Sequence, residues 1–194
     1  MIYQLLGFIL FLIGCTHLFT QINNSETRIS TSIQNIFNQK PWLGFFREIW
    51  FFGRTTFIVI ILIFLICIDW KIGLIANLVF LIIVGIEQIV KANFNRNRPF
   101  SALSTVAMLQ PLEPQDSSFP SGDALRIWYL ALILPIAVGN SIPFLLAAIL
   151  LAILVTFGRL VLGVHYLTDV LAGAGLGLLG AGTTIWIWQF FSLL

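Results

Sequence analysis

The chain has 194 residues, of which 59% are hydrophobic and 9% are charged, and its mean hydropathy is +0.99. This composition excludes an ordinary water-soluble domain and predicts an all-α integral membrane protein whose solvent is the lipid bilayer. A net charge of +2 is too small to indicate nucleic-acid binding. The length fits one domain over residues 1–194, because no repeat, linker or low-complexity segment divides it.

The first apolar run covers residues 2–19 and predicts a membrane-spanning helix. Within it, residues 12–15 read Leu-Ile-Gly-Cys and look like the cleavage box of a bacterial lipoprotein signal. Residues 1–4 lack the positive charge that such a signal needs before its apolar part. We therefore interpret the run as an uncleaved first span.

Residues 20–53 separate this span from the next and change from polar to aromatic along their length. Ile29, Ile33, Ile36 and Phe37 are spaced for one face of a helix. The segment therefore predicts an amphipathic helix that lies at the membrane interface, between the first two spans.

Five further apolar runs predict the remaining spans of a six-helix bundle. They cover residues 56–68 (extended by Phe51 and Phe52), 72–90, 124–138, 142–157 and 170–191. In the last run, Gly173 and Gly177 form a small-xxx-small step that lets another helix approach closely. Six spans put loops one, three and five on one face of the membrane. Most charged residues of the later loops fall on that face, and ionisable residues at a membrane boundary are functional candidates.

The third loop and its margins hold two groups of residues that suit a phosphate. Lys91 and, seven positions later, Arg98 supply positive charge. Ser121 and Gly122 open the fourth span, where free backbone N–H groups and the helix dipole favour an anion. Taken singly, a solvated basic flank and an ordinary helix N-cap are the better explanations of these residues.

The fifth loop holds His165, one of only two histidines in the chain, between Arg159 and Asp169. Their spacing of four would place His165 and Asp169 on one face of a helix, where the carboxylate fixes the tautomer of the ring. The other ring nitrogen is then free to attack an anion whose oxygens Arg159 holds. The alternative explanation is a helix-end histidine paired with a neighbouring acid.

In this order and on one face, Lys-x6-Arg-Pro, Pro-Ser-Gly and Arg-x5-His-x3-Asp resemble the signature of the type 2 phosphatidic acid phosphatase superfamily. The soluble relatives of that family include the vanadium haloperoxidases. The resemblance implies that His165 is a nucleophile that forms a phosphohistidine and that Asp169 orients its ring. It implies neither a metal nor a cofactor. The residues that it assigns to the phosphoryl group are Lys91, Arg98, Ser121, Gly122 and Arg159.

The chain departs from the family at Asp123, where a histidine normally protonates the departing oxygen. With a reference pKa of about 3.9, an aspartic acid at this place must be kept protonated by burial or by the phosphate charge. A departing phosphate needs little help from an acid, so Asp123 favours a lipid diphosphate, such as a polyprenyl diphosphate, or an acidic working pH. A smaller departure is Gly158, where the family has a serine.

We therefore predict an enzyme, a membrane phosphatase acting on a lipid phosphate or diphosphate, with its substrate and membrane lipids as partners. The alternative is a non-catalytic lipid-phosphate-binding protein derived from the family, in which Asp123 records lost chemistry. A channel or transporter has little support, because the charges gather at one interface. The positive-inside rule favours a cytoplasmic site, whereas the resemblance implies a site on the outer face of a bacterial cell membrane, which is the orientation we expect. The sequence does not indicate an oligomeric state.

Overall fold

The computed structural model describes residues 1–18, 20–37, 40–139 and 141–193. Within these ranges the chain forms helices and no β-strand, which confirms the all-α class. The α-helices are α1 (Ile2–Cys15), α2 (Thr20–Phe37), α3 (Lys40–Ile49), α4 (Thr55–Ile68), α5 (Trp70–Phe94), α6 (Pro99–Ala102), α7 (Gly122–Ala137), α8 (Ile142–Val161) and α9 (Leu167–Phe190). Short 3-10 turns, Thr16–Leu18 and Trp50–Gly53, follow α1 and α3.

Three helical segments of the described chain are long and apolar enough to cross a membrane: Trp70–Ala102, Ile142–Val161 and Leu167–Phe190. Two bent pairs, Ile2–Leu18 with Ile22–Phe37 and Pro41–Gly53 with Thr55–Ile68, bring the number to five if each pair is one span. α7 has 16 residues, somewhat fewer than the ~20 that a full span needs. The number of six spans therefore stays a prediction.

α9 is the most buried of these candidate spans, with 72% of its apolar window covered by the rest of the protein. Its glycines make this possible, because a Cβ on Gly173, Gly175 or Gly177 would collide with backbone atoms of α1, α7 or the residue before α7. The predicted close approach at Gly173 and Gly177 is thus present, and α7 is the helix that approaches. As a result the amide of Ser121 donates to the carbonyl of Asp169 at 2.9 Å, which joins the starts of α7 and α9.

The apolar core lies between α4, α5, α7 and α9, and its few polar groups are paired. The hydroxyl of the buried Tyr129 lies 2.7 Å from the carbonyl oxygen of Ala76 and 2.8 Å from the hydroxyl of Thr184. Such pairing is required inside a membrane protein, because an unpaired polar group there costs several kcal/mol.

α2 occupies the segment predicted to be amphipathic, and it buries three polar residues against the protein. Glu26, Ser30 and Gln34, each four residues from the next, are buried, whereas Ile29 and Ile36 are exposed. The exposed side also carries polar residues, Arg28 among them, so burial does not divide α2 into a polar and an apolar side and the amphipathic helix stays a prediction. Its location at the membrane interface stays a prediction.

Candidate active site

Six of the predicted site residues meet at one cavity of about 250 Å³. The cavity lies where α5 and α8 end and where α7 and the link to α9 begin, so helix ends that are far apart in the chain bring their polar residues together. The six residues are Lys91, Arg98, Gly122, Asp123, Arg159 and His165. The other two predicted residues, Ser121 and Asp169, are fully buried next to the cavity.

His165 lies in the link between α8 and α9, not in a helix. α9 begins at Leu167 and carries Asp169 in its first turn, so the prediction that His165 and Asp169 share a helix face is wrong. The link bends back on itself at Gly163, whose φ of +74° is in the left-handed region that glycine adopts readily. This turn directs the imidazole toward the cavity from the loop.

The partners of His165 define its tautomer. Nδ1 lies 2.8 Å from the carbonyl oxygen of Ser118, whereas Nε2 lies 3.2 Å from Nη1 of Arg98. A carbonyl only accepts and a guanidinium only donates, so we assign the proton to Nδ1 and the lone pair to Nε2. The nitrogen on the cavity side is therefore the nucleophilic one.

His165 is neutral at physiological pH. The side chain is 3% exposed, and this burial, together with the charge of Arg98, lowers the pKa of His165 to about 4 although Asp169 acts in the opposite direction. A neutral imidazole with an unprotonated Nε2 is the form that can attack phosphorus.

Asp169 lies behind the imidazole, with Oδ2 at 3.7 Å from Nδ1 of His165. Its carboxylate accepts hydrogen bonds from the Ser118 hydroxyl at 2.5 Å and from the Tyr166 amide at 2.8 Å. It also accepts from Nη1 of Arg96 at 2.5 Å. The carboxylate thus joins the residue after the histidine to Ser118, whose carbonyl is the direct partner of the ring.

Arg96 and Glu26 extend this network to α2. Nη2 of Arg96 donates to Oε2 of Glu26 at 2.7 Å, and Oε1 of Glu26 accepts from the backbone amide of Thr168 at 2.7 Å. The guanidinium of Arg96 also lies 4.1 Å from the centre of the Tyr166 ring, which is within cation–π distance. Since Glu26 is 2% exposed, α2 contributes a buried charge to the position of the nucleophile's loop.

Lys91 and Arg98 share the carboxylate of Asp116. Asp116 Oδ2 contacts Nζ of Lys91, and Oδ1 accepts from Nη2 of Arg98 at 2.7 Å. Burial alone would raise the pKa of Asp116, but the hydrogen bonds and charges of Lys91 and Arg98 hold it at about 2. The Asp116 side chain is 51% exposed, so an exposed carboxylate lies between the two basic residues predicted to bind phosphate.

Arg159 has one paired and two unpaired guanidinium nitrogens. Nη2 donates to Oε1 of Gln110 at 2.5 Å and lies 3.0 Å from Oδ2 of Asp123. Nε and Nη1 are buried and have no hydrogen-bond partner among the described residues. An unpaired buried N–H is costly, so these donors at the cavity wall are available to an anion.

Asp123 lines the cavity as an ion-paired carboxylate. Oδ1 accepts from Nη1 of Arg126 at 2.8 Å, and Oδ2 lies 3.0 Å from Arg159 and 3.1 Å from the indole nitrogen of Trp50. Two guanidinium groups and an indole N–H all donate to this carboxyl group, which favours its ionised form. The geometry gives no support to Asp123 as a proton donor.

Ser121 and Gly122 form the start of α7. The Ser121 hydroxyl accepts a hydrogen bond from the Ala124 amide at 3.4 Å and serves as the N-cap, while Gly122 lines the cavity. The departure at Gly158 has a packing reason, because a Cβ there would lie 3.1 Å from the ring of Phe46. A serine at that position would require Phe46 to move.

Four residues of the site were not predicted from the sequence: Glu26, Arg96, Asp116 and Arg126. Arg126 could have been found from its spacing of three from Asp123, and Arg96 from its place beside Arg98. Glu26 is one acid among the polar residues of α2, and Asp116 lies in an irregular loop. Their spacing gives no signal, because both act through contacts between distant segments.

Comparison with known proteins was made from sequence and from structure. Residues 72–192 match the family model of the PAP2 superfamily. An undecaprenyl-diphosphatase from Sulfolobus acidocaldarius is 34% identical over 107 residues, which cover 55% of this chain and 50% of that protein. The match thus spans about half the length of this relative.

Two solved structures are similar to nearly the whole fold. One is the transmembrane PAP2 type phosphatidylglycerolphosphate phosphatase from Bacillus subtilis, with a TM-score of 0.78, 25% identity and 98% of both chains covered. The other is Aquifex aeolicus LpxE, with a TM-score of 0.72 and 26% identity over 81% of this chain and 93% of that one. A transmembrane neighbour and several apolar helices agree with an integral, multi-pass membrane protein.

Proposed function

The chain belongs to the PAP2 superfamily, and we propose that it is a membrane phosphatase that removes the terminal phosphate of a lipid diphosphate through a phosphohistidine at His165. One observation carries this proposal. The lone pair of His165 Nε2 is directed at a cavity whose wall also holds the buried, unpaired N–H groups of Arg159. A nucleophile beside unsatisfied donors is the arrangement that phosphoryl transfer needs.

In the first step, Nε2 of His165 attacks the terminal phosphorus. A P–N bond forms while the bond to the bridging oxygen breaks, and the electron pair leaves with that oxygen on the lipid monophosphate. The ring keeps its proton on Nδ1, directed at the Ser118 carbonyl, and becomes cationic. The Asp169 carboxylate, 3.7 Å away, stabilises this charge.

In the second step, water attacks the phosphohistidine. The P–N bond breaks, its electron pair returns to Nε2, and inorganic phosphate leaves with the oxygen of the water. One proton of the water stays on the oxygen that joins the phosphate, and the other goes to the phosphate or to solvent. The electron pair that returns to Nε2 makes His165 neutral again. Throughout both steps Lys91, Arg98 and Arg159 stabilise the charge on the phosphoryl oxygens, as electrostatic catalysis requires.

The state of Asp123 supports a diphosphate over a monoester. An alkoxide leaving from a monoester needs a proton, whereas a phosphate leaving from a diphosphate has a second pKa of about 6 and departs without one. Asp123 is paired with two arginines and has no available proton to give. The undecaprenyl-diphosphatase that this chain resembles is named for a diphosphate, which agrees with this choice.

The competing function is a non-catalytic lipid-phosphate-binding protein. It would explain the absence of a histidine at Asp123, but it gives no reason for a buried network that fixes the residues directly after His165. We also propose that the protein lies in the cell membrane with its site on the outer face, as the resemblance to bacterial members of the family implies.

Phosphate release by the purified protein tests the function. The substrates are lipid monophosphates and diphosphates presented in detergent micelles, and His165→Ala is the negative control. We expect phosphate release from a polyprenyl diphosphate. When the terminal phosphate of this substrate carries ³²P, an acid quench should trap the label on the wild-type protein. Absence of both turnover and labelling from every lipid would leave the binding protein as the better interpretation.

A further inference from the structure

Arg126 is the feature of the cavity that the family signature does not explain. It lies in the second turn of α7, four residues after Gly122, and its side chain is 16% exposed at the cavity wall. Its Nη1 and Nη2 would each lie 3.1 Å from a Cβ on Gly122, so the guanidinium covers the start of the helix. An arginine inside an apolar helix is costly, and such a residue is a functional candidate.

Asp123 holds this guanidinium in place through one nitrogen only. Nη1 donates to Oδ1 of Asp123 at 2.8 Å, and Nη2 and Nε have no partner among the described residues. The same carboxylate binds Arg159 at 3.0 Å, so the two arginines are separated by one anion. Arg126 therefore has donors left for a second anionic group beside the one that Arg159 faces.

The residues that line the cavity are mainly basic, although Lys91 also pairs with the buried Glu87 at 3.0 Å. Of the described residues that line it, five are basic and two are acidic: Arg54, Lys91, Arg98, Arg126 and Arg159 against Asp116 and Asp123. A surplus of positive charge at a partly buried site favours a ligand of high negative charge. A diphosphate carries more negative charge than a monophosphate and extends over two groups.

Arg126 also lies at the edge where the cavity meets an apolar groove. The groove, of about 220 Å³, is formed by α4, α7 and α8. Thr56 and Arg126 line the cavity, while the residues that follow them, Phe57 and Ile127, line the groove. A lipid whose terminal phosphate lies at His165 and whose hydrocarbon chain lies in this groove carries its other phosphate past Arg126.

We propose that Arg126 binds the phosphate nearer the lipid, stabilises the charge that develops on it as it leaves, and so makes the enzyme selective for diphosphates. As the P–O bond to the bridging oxygen breaks, the electron pair that this oxygen keeps is stabilised by the guanidinium, and no proton is transferred. Asp123 is then a positioning residue for Arg126 and Arg159. This inference rests on the proposed function, whose nucleophile and leaving group it uses.

A matched pair of substrates isolates the second phosphate. Undecaprenyl diphosphate and undecaprenyl monophosphate share one hydrocarbon chain, so phosphate release from the two by the full chain in detergent differs only in the leaving group. Arg126→Gln should lower kcat/KM for the diphosphate by about 10- to 100-fold, the value of a lost charged hydrogen bond. The monophosphate value should change by less than about 3-fold. Arg126→Lys, which keeps the charge, should lose less.

Arg28→Gln is the matched control, because Arg28 is an exposed arginine on α2, away from the cavity. It should leave both rates unchanged. Equal losses on both substrates for Arg126→Gln would assign Arg126 to the terminal phosphate or to folding and overturn the inference. No loss on either substrate would overturn it as well.

A binding measurement separates this inference from the proposed function. The melting temperature of the full chain is followed against orthophosphate and against methylenediphosphonate, which cannot be hydrolysed. Arg126→Gln should raise the apparent Kd for methylenediphosphonate about 10-fold and leave that for orthophosphate nearly unchanged. If wild type binds in this way without turnover, the proposed function fails and the Arg126 site stands. If wild type hydrolyses the diphosphate and Arg126→Gln binds methylenediphosphonate normally, the proposed function stands and the Arg126 site fails.

Discussion

Asp169 and Asp123 are two carboxylates in equivalent places with different surroundings. Each lies in the first turn of a helix, α9 and α7 respectively, where the helix dipole stabilises a negative charge. Each also pairs with arginine. The Asp169 side chain is 0% exposed and that of Asp123 is 15% exposed.

The difference lies in what the arginines do. Arg96, the partner of Asp169, is not among the described residues that line the cavity and connects the carboxylate to Glu26 of α2. Arg126 and Arg159, the partners of Asp123, both line the cavity. One carboxylate therefore belongs to a network that orients the loop of His165, and the other balances the charge of arginines that line the cavity.

The largest expected effect comes from removing His165, the residue that the Asp169 network orients. His165→Ala should lower phosphate release by about 10⁴-fold or more, because nothing else in the cavity can form the covalent intermediate. Acid-quenched labelling should give no phosphohistidine. The chain has one other histidine, His17, so His17→Asn is the matched control and should retain the label.

Replacing each aspartate by asparagine compares the two carboxylates directly. Asp169→Asn should lower kcat by about 100-fold with little change in KM, because an amide N–H would face one of its three donors and disturb the ring. Asp123→Asn should lower kcat/KM for the diphosphate by about 10-fold, because Arg126 and Arg159 lose their anchor. Steady-state kinetics of both variants checks this. A loss of kcat from Asp123→Asn as large as that from Asp169→Asn would contradict the distinction and restore Asp123 as a proton donor.

A smaller effect is expected from the far end of the Asp169 network. Glu26→Gln removes a charge that pairs with Arg96, and we expect a decrease in kcat of roughly 3- to 10-fold without a change in KM. Glu48→Gln is the control, since Glu48 is exposed on α3. If a second substitution, Arg96→Gln, restores the rate of Glu26→Gln, Glu26 acts by positioning the loop of His165. Unchanged kinetics in Glu26→Gln would instead show that α2 only covers this loop.

The smallest change concerns pH. The pKa of His165, lowered to about 4 by burial and Arg98, predicts that its ring stays neutral from neutral pH down to about pH 5. Since this lies below the ordinary value of about 6.5, the stability linked to it is present above pH 6.5 and decreases as the pH falls toward 4. NMR titration of ¹³C-labelled histidine, assigned with His17→Asn, measures the midpoint. A midpoint near 6.5 would show that the ring is less buried than described.

Many of the residues around His165 could be predicted from the sequence, because they lie in short motifs. Lys91, Arg98, Arg159 and His165 were predicted from spacing and line one cavity. Glu26 could not be predicted in the same way, since its role depends on the packing of α2 against the link before α9. Nor could the spacing of His165 and Asp169 distinguish a helix face from a loop that precedes a helix.

The span prediction had a similar limit. Apolar runs predicted the helices well, but the length of a run does not reveal bends. The chain bends between α1 and α2 and again between α3 and α4. The side of α2 that faces the protein was also hidden, because isoleucines at helical spacing fit either a core or a lipid surface. In both cases the missing information is the identity of the neighbouring surface, which local periodicity does not contain.

The close contact of α1 with α9 has a consequence for how the protein is made. Gly7 faces the backbone of Gly175 and Gly14 faces Ala172, so the first helix packs chiefly against the last. At a ribosomal rate of about 5–20 residues per second, the intervening chain takes on the order of 10 s to emerge. During that time the glycine face of α1 is covered by lipid or by the insertion machinery. Asp169 arrives on the same late helix, so the candidate site is complete only after α9 has emerged.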